Sequence, residues 1–225
     1  LITTVAAAHL EAFDSIAGIA VEKASIIEGL EYGGSAVLNN DIETAAILQA
    51  KAHDAKRKDV GFGWHGFNYV LENVTLQGDS TVVQASAEGV PVMFKIATAG
   101  AHFAMNGLGA LAACVELGAD LALSAQALGR WAPFSGRGAR EVISLDPMDP
   151  DHSLTLLDDS YNANPSSMAA ALSVLAAAET TSGRRIAVIG DMKELGPQEK
   201  ALHRALADLP SVEGIETFHC VGPLM

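Results

Sequence analysis

Leu154-Thr155-Leu156-Leu157-Asp158-Asp159-Ser160-Tyr161-Asn162-Ala163-Asn164-Pro165 sets a short apolar run directly before seven polar or turn-forming residues and a helix start. Asn164 is a favourable N-cap, and Pro165 suits a first helical turn, where its missing N–H costs nothing. A strand, a polar turn and a capped helix in that order form one repeat of an α/β sheet. Ligands of such sheets bind at the carboxyl ends of strands, where helix N-termini offer free N–H groups. The same residues also make a solvated strand-to-helix turn with a good cap, and the segment by itself leaves both readings open.

Outward from this segment the alternation continues. Strands are expected at residues 141–145, 154–157, 185–189 and 217–221, with helices at 165–178 and 198–206. Upstream, residues 1–5 read as a strand, a helix starts at Ser15 and carries Ile16, Ile19, Ile26 and Ile27, and residues 35–38 form a second strand. A helix over 43–54 and a strand near Val60 follow. Residues 69–77, 81–87 and 91–96 are three strand-like runs divided by Gly-Asp-Ser and Glu-Gly turns, so an antiparallel meander interrupts the parallel pattern. Helices over 102–117 and 121–128 lead to the Gly- and Pro-rich stretch Trp131-Ala132-Pro133-Phe134-Ser135-Gly136-Arg137-Gly138. The expected domains are therefore residues 1–134 and 135–225, joined by a segment with few apolar anchors.

With 27 acidic and 14 basic residues the formal net charge is −13, and no basic run appears, so a nucleic-acid partner is not expected. No apolar run reaches the roughly 18 residues of a membrane-spanning helix, and residues 1–5 lack the basic start of a signal peptide, so no membrane insertion is expected and the cytoplasm is the default. The two cysteines, Cys114 and Cys220, suit a reducing compartment and are expected as small core residues. Opening directly on Leu1-Ile2-Thr3-Thr4-Val5, the chain is expected to be a piece of a longer protein, cut at both ends.

"DDSYNANPSSM" (158–168) followed 27 residues later by "RIAVIGDMKELG" (185–196) resembles the C-terminal domain of the Mur ligases, in the branch that adds D-alanyl-D-alanine. "AHLEAFDSIAGIAVEKA" (8–24) resembles the family's central-domain segment in which a histidine precedes a lysine by 14 positions, here His9 and Lys23. "GAHFAMNGLGALAAC" (100–114) resembles its nucleotide-contacting helix. The chain departs from the pattern at Ala8 and Ala24-Ser25, where relatives often carry Pro and Gly-Glu, and at Phe103, where a second Asn is common.

The resemblance implies an α/β fold made of the later part of a Mur-ligase central domain, with a parallel sheet plus a small antiparallel sheet, followed by a partial Rossmann-like C-terminal domain. It implies an ATP- and Mg2+-dependent ligase of peptidoglycan synthesis that joins D-alanyl-D-alanine to a UDP-N-acetylmuramoyl tripeptide through an acyl phosphate, acting as a monomer. His9 is then a magnesium ligand, and Lys23, carbamylated by CO2, offers carboxylate-like oxygen to a metal that prefers oxygen; their alternatives are a capping histidine and a snorkelling surface lysine. Asn106 would read the adenine side of ATP, since a buried Asn in an Ala-rich helix needs a partner. Arg137 would reach the ATP phosphates, with Arg140 close enough to be confused with it, and Asp159 the ribose. Asn162, Asn164 and Asp191 would lie on the peptide-substrate side, although Asp191 and Lys193 equally suit a turn that orders the following loop. The phosphate loop Gly-x-x-x-x-Gly-Lys-Ser/Thr is expected upstream, because no Gly-Lys pair occurs in the chain. These residues alone are accordingly expected to be inactive and to bind ATP weakly. A sister ligase, a folylpolyglutamate-synthase-like ligase and a non-catalytic nucleotide- or peptide-binding module remain the other readings.

Overall fold

The computed structural model describes residues 1–7, 10–13, 15–149, 152–180 and 183–225. Among the candidate site residues, His9 lies outside the described residues. The chain divides into two compact units, one made of Leu1–Trp131 with Glu194–Gly196, the other of Ala132–Lys193 with Pro197–Met225.

In the first unit, β1 (Ser35–Asn39), β2 (Lys58–Gly63), β3 (Tyr69–Gln77), β4 (Ser80–Ala87) and β5 (Val90–Ile96) form one mixed sheet in sequence order. β1 and β2 pair in parallel, and β3, β4 and β5 form the antiparallel meander. The two parts meet in parallel through only two residue pairs, Phe62↔Tyr69 and Gly63↔Val70. Parallel neighbours usually need a connection of a dozen or more residues. Here the chain turns back within Trp64–Asn68, and a Cβ on Gly66 would stand 2.2 Å from the Tyr69 carbonyl oxygen. Only glycine fits that turn.

Helices α1 (Leu10–Phe13) and α2 (Ile16–Ala24) precede β1, and α3 (Ala45–Asp54) connects β1 to β2. The Ser15 hydroxyl caps α2 by accepting from Gly18 N–H at 3.0 Å. The helix ends sooner than its apolar spacing suggests. Ile26 and Ile27 fall in a 3-10 turn, Ser25–Gly29, entered where the Ser25 hydroxyl donates to the Glu22 carbonyl at 2.6 Å.

Helices α4 (Ala101–Glu116) and α5 (Leu121–Leu128) cover the sheet. Their core joins Phe62, Tyr69, Val83, Phe94 and Ile96 to Ala104, Leu108 and Leu111. α4 approaches closely because of its glycines: a Cβ on Gly109 would meet the Phe62 ring at 2.8 Å. Buried Thr81 fixes the start of α4, its hydroxyl donating to Thr98 O at 2.8 Å and accepting from Gly100 N at 3.0 Å.

The expected first strand shrinks to a single bridge, Ile2↔Leu38. The next carbonyls are claimed by side chains instead of a ladder: Asn39 Nδ2 donates to Thr3 O at 2.7 Å and Lys23 Nζ to Thr4 O at 3.0 Å.

The second unit contains an antiparallel hairpin of β6 (Ala139–Ser144) and β7 (Ser153–Asp158), helix α6 (Pro165–Ala177), a parallel pair of β8 (Ile186–Gly190) and β9 (Thr217–Val221), and α7 (Glu199–Ala205) between them. Its small core gathers Leu172, Ala187 and Ile215, with Met168, Ile189 and Phe218 against them. The cysteines correct the expectation of burial. Both are exposed, Cys114 in the last turn of α4 and Cys220 near the end of β9, whose final residues are all exposed.

Candidate functional site

In the first unit, the parallel strands end at the segments that carry its polar residues. Buried Asn39 closes β1, its Oδ1 accepting from Asp41 N at 2.8 Å while its amide holds Thr3. Asp41 accepts from Trp64 N at 2.6 Å and from His65 N at 2.9 Å, and His65 Nδ1–H donates to the same carboxylate at 2.8 Å. Asp41 thus shapes the turn that follows β2, and a Cβ on Gly63 would strike its carboxylate at 2.5 Å. Nothing in the local sequence marked Asp41 for this role, since its partners lie 23 and 24 residues away.

Lys23, on α2, reaches the same end of the sheet. Its exposed amine donates to a main-chain carbonyl, that of Thr4, at 3.0 Å. Among the described residues no group of three or more His, Cys, Asp or Glu is arranged to hold a metal ion. Asn106 lies on α4 but is exposed, because the buried face of that helix runs through Ala104, Gly107, Leu108, Leu111 and Ala112. Contrary to the expectation of a buried Asn, Asn106 is not obliged by burial to find a partner; its amide is open to a ligand without being forced to one. His102, partly buried and against Phe103, has its pKa lowered by desolvation, which favours the neutral ring.

The second unit brings Arg137, Asp158, Asp159, Asn162 and Asn164 into one pair of turns. Asp158, at the end of β7, accepts four hydrogen bonds: from Ser135 Oγ at 2.9 Å and Gly136 N at 2.7 Å on one oxygen, and from Ser160 Oγ at 2.6 Å and Ser160 N at 3.2 Å on the other. The Ser160 hydroxyl contributes most, then Ser135 and the two main-chain donors, and together they hold the carboxyl at about 2. Asp159 moves the other way. Partial desolvation, and after it the charge of Asp158, raises its pKa.

Arg137 occupies the turn before β6, where its guanidinium lies 4.3 Å from the centre of the exposed Tyr161 ring. Among the described residues it enters no ion pair. Arg140 is separated from it by fold, since it pairs with Leu157 inside the hairpin. Asn164 is the N-cap of α6, its Oδ1 accepting from Ser167 N while the Ser167 hydroxyl accepts from Asn164 N, both at 3.0 Å. Exposed Asn162 folds back on Ala163 N at 3.0 Å.

Asp191 stands apart, after β8. Its Oδ1 accepts from Leu224 N at 3.1 Å and Met225 N at 2.9 Å, so the carboxylate orders a turn. The next residue, Met192, donates its N–H to Nε2 of buried His203 at 2.9 Å, which leaves Nδ1–H to donate to Glu199 O at 2.7 Å. That histidine had no signal in the sequence beyond a place in a helical run.

A mixed sheet with a helix-borne lysine and a polar loop at the ends of its parallel strands, followed by a second unit of strands and helices, defines an α/β protein of two units. The family profiles are specific within it: the Mur ligase middle domain matches residues 1–114, and the Mur ligase glutamate ligase domain matches residues 145–224. The chain belongs to the Mur ligase family. It is similar to the UDP-N-acetylmuramoyl-tripeptide--D-alanyl-D-alanine ligase of Escherichia coli (strain K12), 34% identical over 99% of this chain and 47% of the relative. The Bacillus subtilis (strain 168) ligase of the same name is 30% identical, over 100% of this chain and 46% of the relative. The chain thus spans about half the length of the curated relatives it matches. Among solved structures, MurF from Acinetobacter baumannii superposes with a TM-score of 0.81 at 26% identity, covering 97% of this chain and 49% of that one. MurF ligase from Thermotoga maritima in complex with ADP shares the fold, with a TM-score of 0.75 at 23% identity over 97% of this chain and 51% of that one.

Proposed function

We propose that this chain supplies part of an ATP-dependent ligase that joins D-alanyl-D-alanine to a UDP-N-acetylmuramoyl tripeptide in peptidoglycan synthesis, acting as a monomer in the cytoplasm. ATP phosphorylates the terminal carboxylate of the tripeptide, and the amine of the dipeptide attacks the acyl phosphate. The observation that carries the reading is Arg137. In a chain with net charge −13 it keeps clear of every described carboxylate, and its N–H donors are left for an anionic ligand such as phosphate. Asp159 would accept from the ribose hydroxyls, and its raised pKa befits a carboxylate set aside for a ligand rather than spent on the fold. Asn106 would contact the adenine from its exposed position on α4.

Asn162 and Asn164 would face the peptide substrate, though the Asn164 carbonyl oxygen is already used as a cap. Asp191, committed to Leu224 and Met225, would act on substrate by ordering its loop.

Magnesium fits this donor set on one condition. Among the described residues no group of three or more His, Cys, Asp or Glu is arranged to hold the ion, so the oxygen that this part of the protein would offer it is a carbamate on Lys23, with His9 beside it in the sequence pattern. The ion would neutralise phosphate charge during transfer. Lys23 is exposed at the end of the sheet, where CO2 can reach the amine. The test uses the intact gene product. Phosphate release should require both the tripeptide and D-alanyl-D-alanine, and Lys23→Ala should lose most of the rate and regain part of it with a small added carboxylate. A full rate in Lys23→Ala would remove the lysine from the mechanism. Turnover with glutamate in place of the dipeptide would move the chain to a sister ligase.

A further inference from the structure

Asp158 carries no nucleotide contact in that reading, yet among the described residues of the second unit's turns its side chain accepts the most hydrogen bonds, four. Its two oxygens hold separate pieces of chain. Oδ2 takes Ser135 and Gly136, which precede β6, and Oδ1 takes Ser160, which follows β7. Main-chain bonds tighten the same junction, Gly138 N to Asp158 O at 2.8 Å and Tyr161 N to Gly136 O at 3.0 Å. Gly136 has φ +77°, and a Cβ there would stand 3.0 Å from Tyr161 Cβ. The two turns are therefore pressed together where Arg137 leaves one of them and Tyr161 leaves the other.

An arginine side chain left to itself samples many rotamers. With its Cζ 4.3 Å from the Tyr161 ring centre, the Arg137 guanidinium is held at the ring by cation–π attraction, which engages the charge and leaves the N–H donors for bidentate capture of phosphate. That stack exists only while the two turns stay in register.

We infer that Asp158 is a positioning residue for Arg137: by clamping Ser135-Gly136 to Ser160 it holds the arginine on the Tyr161 ring, preset for the nucleotide phosphates. The inference rests on the reading of Arg137 as a phosphate contact. It differs from the reading of Asp159, which would touch the nucleotide itself, whereas Asp158 acts only through its neighbour. Because its carboxylate is held ionised at about 2, the clamp persists across the whole physiological range.

The test is a double-mutant cycle on kcat/KM for ATP in the intact gene product. A misplacement of the order of 1 Å at a reacting group can cost about 100-fold, so Asp158→Asn should lower kcat/KM roughly 10- to 100-fold. Arg137→Ala should cost at least as much, and adding Asp158→Asn to it should cost nothing more. Ser135→Ala, which removes one donor and leaves the carboxylate, should show a smaller loss with the same non-additivity and guards against a folding failure in Asp158→Asn. A direct readout accompanies the kinetics. The Arg137 Nε–H resonance, displaced by the ring current of Tyr161, should return toward the value of an unstacked arginine in Asp158→Asn. Equal losses from Asp158→Asn with and without Arg137, or an unmoved Arg137 resonance, would overturn the positioning role alone. A wild-type kcat/KM in Arg137→Ala would overturn the phosphate role of Arg137 and the positioning role with it.

Discussion

Two adjacent carboxylates, Asp158 and Asp159, part company because one is surrounded by donors and the other is not. The donors around Asp158 depress its pKa to about 2, while desolvation and the charge of Asp158 raise that of Asp159. A carboxyl with a depressed folded pKa contributes stability above its unfolded value of about 3.9 and loses it as pH falls through the folded value. The Asp158 clamp should therefore be intact at pH 4 and released only near pH 2. Carbon-13 titration of the two side chains should give separate steps on acidification, Asp159 protonating first, above its ordinary value, and Asp158 last, near 2; a common step near 4 would contradict the clamp. The sequence marked Arg137, Asp159 and Asn164 through the strand-turn-helix pattern and a family resemblance. It could not mark Asp158 or Asp41, whose work is defined by partners some 22 to 24 residues distant. It also mistook Asn106 for a buried residue, because an Ala-rich helix hides the phase of its buried face.

Elements were more legible than contacts. Turn chemistry and apolar runs located every strand of the meander and the start of α6, where Asn164 and Pro165 did what their side chains favour. The failures were at ends: the run of Ile residues suggested a longer α2, and the strand at residues 1–5 gave up its ladder to Asn39 and Lys23. Helix α4 adds a case in which propensity misleads. Gly→Ala inside a helix normally gains about 0.5–1 kcal/mol. At Gly109 the added Cβ would stand 2.8 Å from a fully buried Phe62 ring, and overpacking of that kind costs about 1–3 kcal/mol. Gly109→Ala should destabilise the first unit by about 1 kcal/mol, read as a lower midpoint in urea with an unchanged slope. A higher midpoint would mean that the ring moves aside freely.

For the molecule as a whole, alternation of strands and helices implied the α/β class, and the structure adds how the parallel and antiparallel parts are joined. Periodicity carries no record of which strands become neighbours, so the pairing of β2 with β3 across a five-residue turn was not legible. That join of two residue pairs has a consequence for how the first unit opens. Strands β1 and β2 share five pairs and β3 to β5 share long ladders, but almost no main-chain hydrogen bonding crosses from one group to the other. Helix α4, packed on both, is the principal tie between them. In native-state hydrogen exchange, amides of β1–β2 and of β3–β5 should form two protection classes with different opening free energies, where a uniformly laddered sheet would give one. Mild denaturant should then loosen the parallel strands, with Lys23 and Asn39 at their ends, without first unravelling the meander.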